Sequence, residues 1–297
     1  MTITAKVIED SISPDGVRLT TLELYYPRFI HAELMTHRVL SRNASSSRAT
    51  PVKVFIEQVR NNPAFFVSVG INKPGMQARE EAPQELKDKF EQEWRELGNI
   101  VADFCERWGT EYKLHKQVAN RALEPWQHIK VLVTATDWDN FFSLRDHPDA
   151  QPEIRELATQ MRKAMDKSVI TFRSYKDWHL PYVSNEEREH YSGDPFLLAK
   201  VSAARCARVS YLNHDNSGPT IAKDLDTFQK LAGGNPIHAS PLEHQATPLD
   251  IYTSKLGVKV FTDGNLKLRE AQYKLSETRN LFAWKPFRSF FEEGEVP

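Results

Sequence analysis

Apolar positions along the chain fall into two periods, and each marks out its own elements. Residues 2 to 9 and 17 to 26 are rich in Ile, Val, Thr, Leu and Tyr around Pro14-Asp15-Gly16, which predicts a β-hairpin. A helical pattern follows in YPRFIHAELMTHR, and residues 52 to 60 predict a short helix. From Gln84 to about Lys116, Leu86, Phe90, Trp94, Leu97, Val101, Phe104 and Trp108 recur at threes and fours, predicting one long helix with that stripe buried. IKVLVTA at 129 to 135 predicts a strand, and 136 to 145 a short helix carrying Asn140 and Arg145. A second amphipathic helix over 151 to 167 should bury Ile154, Leu157, Ala158, Met161 and Met165. Beyond Lys167 the elements shorten to a loop region at 172 to 196, an apolar stretch at 197 to 211 and a helix at 219 to 232. Residues 61 to 83 form a long loop punctuated by Asn62-Pro63, Lys73-Pro74-Gly75 and Ala82-Pro83, and a loop of that length is more often functional than idle.

Composition narrows the class without naming a chemistry. With 297 residues, 40% of them hydrophobic and 27% charged, the chain can bury a substantial core. No apolar run reaches the length of a membrane span, and MTITAKVIEDS lacks a secretory pattern, so a cytoplasmic protein without a membrane partner is expected. A formal net charge of −1 speaks against a polymeric nucleic-acid partner. Cys105 and Cys206 stand far apart, the pattern of reduced, buried thiols. The ten histidines show no metal-type spacing, so no metal is expected. Ser192-Gly193-Asp194-Pro195 is the one tempting boundary in what reads as a single domain.

The chemistry concentrates in residues 31 to 48, HAELMTHRVLSRNASSSR. Serine hydroxyls, backbone N–H groups and guanidinium forks hold phosphate oxygens through charge-assisted hydrogen bonds, and a following helix would add its unpaired donors. The same residues also describe a polar capping loop with a solvated arginine fringe.

Three separated pieces together resemble the flavin-dependent thymidylate synthase family. The family signature, Arg-His-Arg, seven residues and Ser, is matched by Thr36-His37-Arg38, seven residues and Ser46, followed by Ser47 and Arg48. Arg121-Ala-Leu-Glu-Pro125 and DNFFSLRDHPDAQPEIRELA from Asp139 are similar to its Arg-x-x-Leu-Pro and Asn-Phe-x-x-Leu-Arg segments. AARCARVSY at 203 to 211 and HASPLEH at 238 to 244 resemble segments that family members carry before the signature. That order points to a circular permutation, which is tolerated where termini lie close together at the surface.

The resemblance implies an α+β fold, a mostly antiparallel sheet flanked by long helices. Its parts would be the hairpin and signature loop (1–50), a helical part (84–168), the permuted flavin-binding piece (197–247) and an extension (250–297) within one domain. It further implies transfer of a one-carbon unit from methylenetetrahydrofolate to C5 of dUMP, giving dTMP, with FAD as cofactor, NADPH and methylenetetrahydrofolate as co-substrates, and a homotetramer. Arg145 would be catalytic and would contact the pyrimidine; Ser46, Ser47, Arg48 and Arg121 would bind the nucleotide. His37, Arg38, Asn43, Asn140, Ser210, His238, Ser240 and Glu243 would contact the flavin.

This chain departs from the family at Thr36, where arginine is usual, at Glu33 for glutamine, Ala44 for glutamate and Asp149 for histidine. Arg42, Arg279 and Arg288 are candidates to replace the lost cation. The departures leave two other functions open: a flavin-dependent hydroxymethylase of dUMP or dCMP, and a non-catalytic nucleotide-binding module. Without the family, Arg145 reads as a helix-end arginine paired with Asp146 or Asp149, Arg121 as the partner of Glu124, and Cys206 as a small buried residue on a strand.

Overall fold

A computed structural model describes residues 3–75, 77–78, 80–209, 220–234, 237–249 and 278–296. The predicted Ser210, residues 235–236 and most of the 250–297 extension lie outside the described residues.

Strands β1 (Thr4–Ile12) and β2 (Arg18–Pro27) pair antiparallel from Thr4↔Tyr25 to Ile12↔Arg18. Gly16 takes φ +77° in the turn between them, a conformation that a side chain disfavours. Helix α1 (His31–Met35) follows after a single tight turn, shorter than the helical pattern of YPRFIHAELMTHR suggests. Strand β3 (Ser41–Ala44) comes next, then α2 (Val52–Asn61), α3 (Gln84–Glu106) and the short α4 (Lys116–Ala119). Strand β4 (His128–Ala135), α5 (Asp139–Arg145), α6 (Pro152–Asp166) and β5 (Thr171–Phe172) complete the first half. The five strands form one sheet in the order β3-β4-β2-β1-β5, antiparallel except where β1 meets β5. The fold is therefore α+β, with a mostly antiparallel sheet and long helices.

One face of this sheet carries the main core. Leu22, Leu24 and Tyr26 of β2 and Ile129, Val131 and Val133 of β4 are buried against Ile154, Leu157, Ala158 and Met161 of α6. The stripe expected on α6 is buried throughout, Met165 included. The opposite face is half polar, as alternation along the strands requires. Ser11, His179, Thr21, Thr134 and His244 line up there as a buried chain of hydrogen bonds of 2.7 to 2.9 Å.

The C-terminal part covers that polar face. It comprises α7 (Asn185–His190), α8 (Pro195–Ala207), α9 (Ile221–Ala232), the paired strands β6 (Ala246–Pro248) and β7 (Trp284–Pro286), and α10 (Phe287–Glu292). Arg205 of α8 ties it together, reaching Glu187 at 2.6 Å and the fully buried Asp224 at 2.8 Å, with Arg208 on Asp224 as well. Buried charges persist when paired in this way.

Three expectations need correction. The helix from Gln84 ends at Glu106, passes through a wide turn (Arg107–Glu111) and resumes only as α4. Leu86, Leu97, Phe104 and Trp108 of its predicted buried stripe are exposed; the residues sealed against its neighbours are Gly98, Ala102 and Cys105. Close approach is the cause: a Cβ on Gly98 would stand 2.9 Å from the Trp126 ring. Cys206 lies on a helix, α8, and not on a strand.

Candidate functional site

The chain leaves β3 through the serine run, and the adjoining elements fix how it turns. Ser45 exchanges hydrogen bonds with Lys130 of β4, its N–H donating to the Lys130 carbonyl (2.8 Å) and its Oγ accepting from the Lys130 N–H (3.2 Å). Asn120, fully buried, donates from Nδ2 to the carbonyls of Ser47 (2.7 Å) and Thr50 (3.1 Å), and Lys116 Nζ donates to that of Ala49 (2.9 Å). Arg48 N–H donates to Ser46 Oγ at 3.3 Å. Carbonyls are thereby bound away, while serine hydroxyls and guanidinium groups remain to face the adjoining cleft.

That cleft encloses about 520 Å³, and Ser46, Ser47, Arg48 and Arg121 all line it, joined by Arg28 and His31. Glu124 sits between two of the arginines, its Oε1 3.1 Å from Arg28 Nη2 and 2.7 Å from Arg121 Nη1. The pairing of Arg121 with Glu124 is thus real and coexists with a place on the cleft wall. Three arginines lining one cleft, two of them sharing Glu124, suit an anion. Ala44, one of the departures, lies on the same wall.

A second cluster surrounds Arg145 at the end of α5. Its Nε donates to His37 Nε2 (3.0 Å), Nη1 to Glu33 Oε2 (3.2 Å) and Nη2 to Thr36 Oγ1 (3.3 Å). Its partner is Glu33, while Asp146 pairs with Arg162 (2.7 Å). His37 packs edge-on against Phe141, with centroids 4.9 Å apart. Burial lowers the His37 pKa, and Arg145 and then Arg42 lower it further, so the ring is neutral and free to accept from Arg145. Burial raises the Glu33 carboxyl pKa in spite of Arg145, and Glu153 adds to the rise. Arg145 does not line the serine cleft.

A third group joins the signature strand to the C-terminal piece. Asn43 Nδ2 donates to the Cys206 carbonyl (2.8 Å), and Ser240 Oγ donates to Asn43 Oδ1 (3.3 Å). Glu243 pairs with Arg288, which also holds Glu292 at 2.8 Å. His238 is exposed and held by its backbone N–H on the Leu231 carbonyl (3.0 Å). Arg38 is exposed, with its carbonyl accepting from Asn280 at 3.4 Å, and Asn140 is also exposed. Asp149 lies at the surface beyond α5.

Of the cations considered for the missing signature arginine, Arg279 pairs with Glu292 and Arg288 with Glu243. Arg42 differs: its Nη1 donates to the carbonyls of Met35 (2.8 Å) and His37 (3.2 Å), on either side of Thr36. Burial raises both thiols, Cys105 to about 11 and Cys206 further still, opposite to what an activated nucleophile requires. Among the described residues no group of His, Cys, Asp and Glu suits a metal ion, and no helix is long and apolar enough to cross a membrane.

Arg28, His31 and Asn120 belong to this region without having been singled out from the sequence. An Asn beside a single arginine is common, so Asn120 carried little signal. Arg28 and His31 are spaced by three just ahead of the signature, which could have placed them on one side of a helical turn.

The edge strand of the α+β sheet thus opens into a cleft whose serines and arginines suit an anion. The family model described as thymidylate synthase complementing protein matches residues 18–169, just over half the chain, and the chain belongs to that family. It is a thymidylate synthase-like enzyme, as the resemblance anticipated. Among solved structures it is similar to the UMP/dUMP methylase PolB from Streptomyces cacaoi bound with 5-Br UMP, at 19% identity and a TM-score of 0.47, covering 57% of this chain and 90% of that one. It is also similar to Thymidylate Synthase X (ThyX) from Helicobacter pylori with FAD and dUMP, at 17% identity and a TM-score of 0.34, covering 50% and 67%. No curated protein matches the chain.

Proposed function

We propose that this chain transfers a one-carbon unit from methylenetetrahydrofolate to C5 of dUMP, giving dTMP, with FAD as cofactor and NADPH as reductant. The observation that carries the reading is the convergence of Ser46, Ser47, Arg48 and Arg121, drawn from two distant segments, on one cleft.

Each cluster has a part in that reaction. The cleft binds the nucleotide phosphate. Arg145, held on all three of its nitrogens, is a fixed cation for the charge that develops on the pyrimidine during attack; such preorganised groups contribute several kcal/mol, roughly 3 to 4 for one donor. His37 and Glu33 orient it. The region of β3 fits a flavin dinucleotide by the chemistry of its donors: Arg42 Nε and Nη2 carry no hydrogen bond among the described residues, Arg38 is exposed just before the strand, and Ser240 is exposed where it bonds Asn43. His37, Arg38, Asn43, Asn140, Ser210, His238, Ser240 and Glu243 would hold the flavin, with Arg42 added. When bound, the flavin supplies hydride chemistry that no side chain provides.

Arg145 does not line the phosphate cleft of its own chain, and in this reading a second copy completes the site. A homotetramer is supported by the apolar surface of α3 and the segment after it: Leu97, Ile100, Phe104, Trp108, Tyr112, Leu114 and Val118 are exposed, and Val118 reaches the cleft wall. Exposed apolar surface of this extent marks an interaction face. The permuted order is supported by the bonds of Asn43 to Cys206 and Ser240, which seat the C-terminal piece on the signature strand in one domain.

A second reading keeps the same site and changes the carbon's fate. Glu33 places a carboxylate on Arg145, which favours consideration of a hydroxymethyl product on dUMP or dCMP. Incubation with both nucleotides, methylenetetrahydrofolate and reduced FAD separates the two by product mass. Absence of any flavin absorbance, with and without added FAD, would contradict both.

A further inference from the structure

We propose that Tyr26 and His31 form a phosphate-recognition pair, in which His31 offers an uncharged Nε2–H donor to the anion in the cleft and Tyr26 fixes the tautomer that makes it one. The proposal rests on reading the cleft as a phosphate site and adds a ligand to it.

Tyr26 is fully buried in the main core, and its hydroxyl lies 2.8 Å from His31 Nδ1. Among the described residues that is the hydroxyl's one hydrogen bond. A buried phenol keeps its proton, and burial raises the Tyr26 pKa strongly. The O–H can be satisfied only by donating to Nδ1, because the reverse arrangement would leave it unpaired in the core. The neutral imidazole then carries its single proton on Nε2, at the far edge of the ring.

That edge is on the cleft side. His31 lines the cavity with Arg28, Arg48 and Arg121, and Nε2 is not among the sealed, unpartnered atoms, so it is open to a ligand. Burial, then Arg28 and Arg42, lower the His31 pKa to about 4. Arg48 and Arg121 line the same cavity, among whose described lining residues there is no carboxylate, and Glu124 pairs with both Arg28 and Arg121. The ring therefore stays neutral in the empty cleft. It adds direction to a site whose arginines already supply charge, which suits the several oxygens of a terminal phosphomonoester.

The test compares dUMP with deoxyuridine by calorimetry at pH 7.5, together with 15N spectra of histidine-labelled protein. His31→Phe should weaken dUMP about tenfold or more, the worth of a hydrogen bond to a charged group, and leave deoxyuridine unchanged. His31→Gln, which can place an N–H near the Nε2 position, should recover most of the loss. The wild-type spectra should show His31 protonated at Nε2 and not at Nδ1, and Tyr26→Phe should mix the tautomers. A His31→Phe variant that binds dUMP like wild type, or a ring protonated at Nδ1, would overturn the proposal. If wild-type protein fails to bind dUMP, the nucleotide reading falls, and titration with inorganic phosphate decides this one: a shifted His31 Nε2–H signal supports it and an unmoved one overturns it.

Discussion

Asn43 and Cys206, 163 residues apart in sequence, meet through a 2.8 Å hydrogen bond from the Asn43 side chain to the Cys206 carbonyl. The bond fastens the end of α8 to the edge strand that carries the signature, and Ser240 bonds the same asparagine from the other side. Position 43 thus holds the C-terminal piece in place. Asn43→Ala should destabilise the fold by about 1 to 3 kcal/mol, because it leaves the buried Cys206 carbonyl with only the longer 3.4 Å bond from the Val209 N–H. Urea unfolding measures this, and an unchanged midpoint would show that the two pieces are joined elsewhere.

Arg145 depends on a planar fork, since three of its nitrogens have separate acceptors. Lysine keeps the charge and loses that geometry. Arg145→Lys should lower kcat by roughly 10²-fold or more while the Kd for dUMP changes much less. Steady-state kinetics with a binding isotherm separate the two; an equal loss in both would make Arg145 a simple binding residue.

Glu124 holds Arg28 and Arg121 on a single carboxylate oxygen, where an incoming phosphate oxygen would compete. Glu124→Gln removes that competitor. Because the pair is partly exposed, its worth is modest, about 0.2 to 1 kcal/mol, and dUMP should bind up to about fivefold more tightly. Weaker binding in the variant would mean that Glu124 orders the arginines and does not oppose the ligand.

Stability should fall with acid through the buried histidines. Burial lowers His128 to about 4 and His244 to about 3, below the ordinary value near 6.5, so the unfolded chain binds protons first. Their contribution is complete above about pH 6.5 and declines as the pH drops toward the folded values, by about 1.4 kcal/mol per pH unit for each. Thermal unfolding between pH 7.5 and 5 would reveal the slope; a Tm that holds constant across that window would contradict it.

The parts of this structure that are legible in the sequence are those whose local pattern and tertiary partner agree. The hairpin, β4 and the α6 stripe are of this kind, as each apolar face meets the sheet core. Helix α3 is different: its spacing reveals an apolar surface but not what covers it, and small residues at Gly98 and Ala102 turned out to make the contact. A run rich in Ala, Val and Leu such as 197 to 207 fits a strand or a helix equally. Asp194-Pro195 before it, read from the sequence only as a possible boundary, is the helix start: the Asp194 side chain accepts from the Leu197 N–H at 2.9 Å. In the candidate site the grouping of the serine run with Arg121 was legible, and both line one cleft. The pairing of Arg121 with Glu124 was legible too, but the second contact of Glu124, to Arg28, was not, because Arg28 is brought from another segment; the bond of His31 to Tyr26 depends on where β2 ends.

The most direct measurement is the product formed from dUMP by the purified protein with FAD, NADPH and methylenetetrahydrofolate, identified by mass spectrometry beside an Arg48→Ala and an Arg145→Lys control. The account predicts dTMP from the wild type and little from either variant. Recovery of dUMP unchanged under reducing conditions in which the flavin is bound would contradict it.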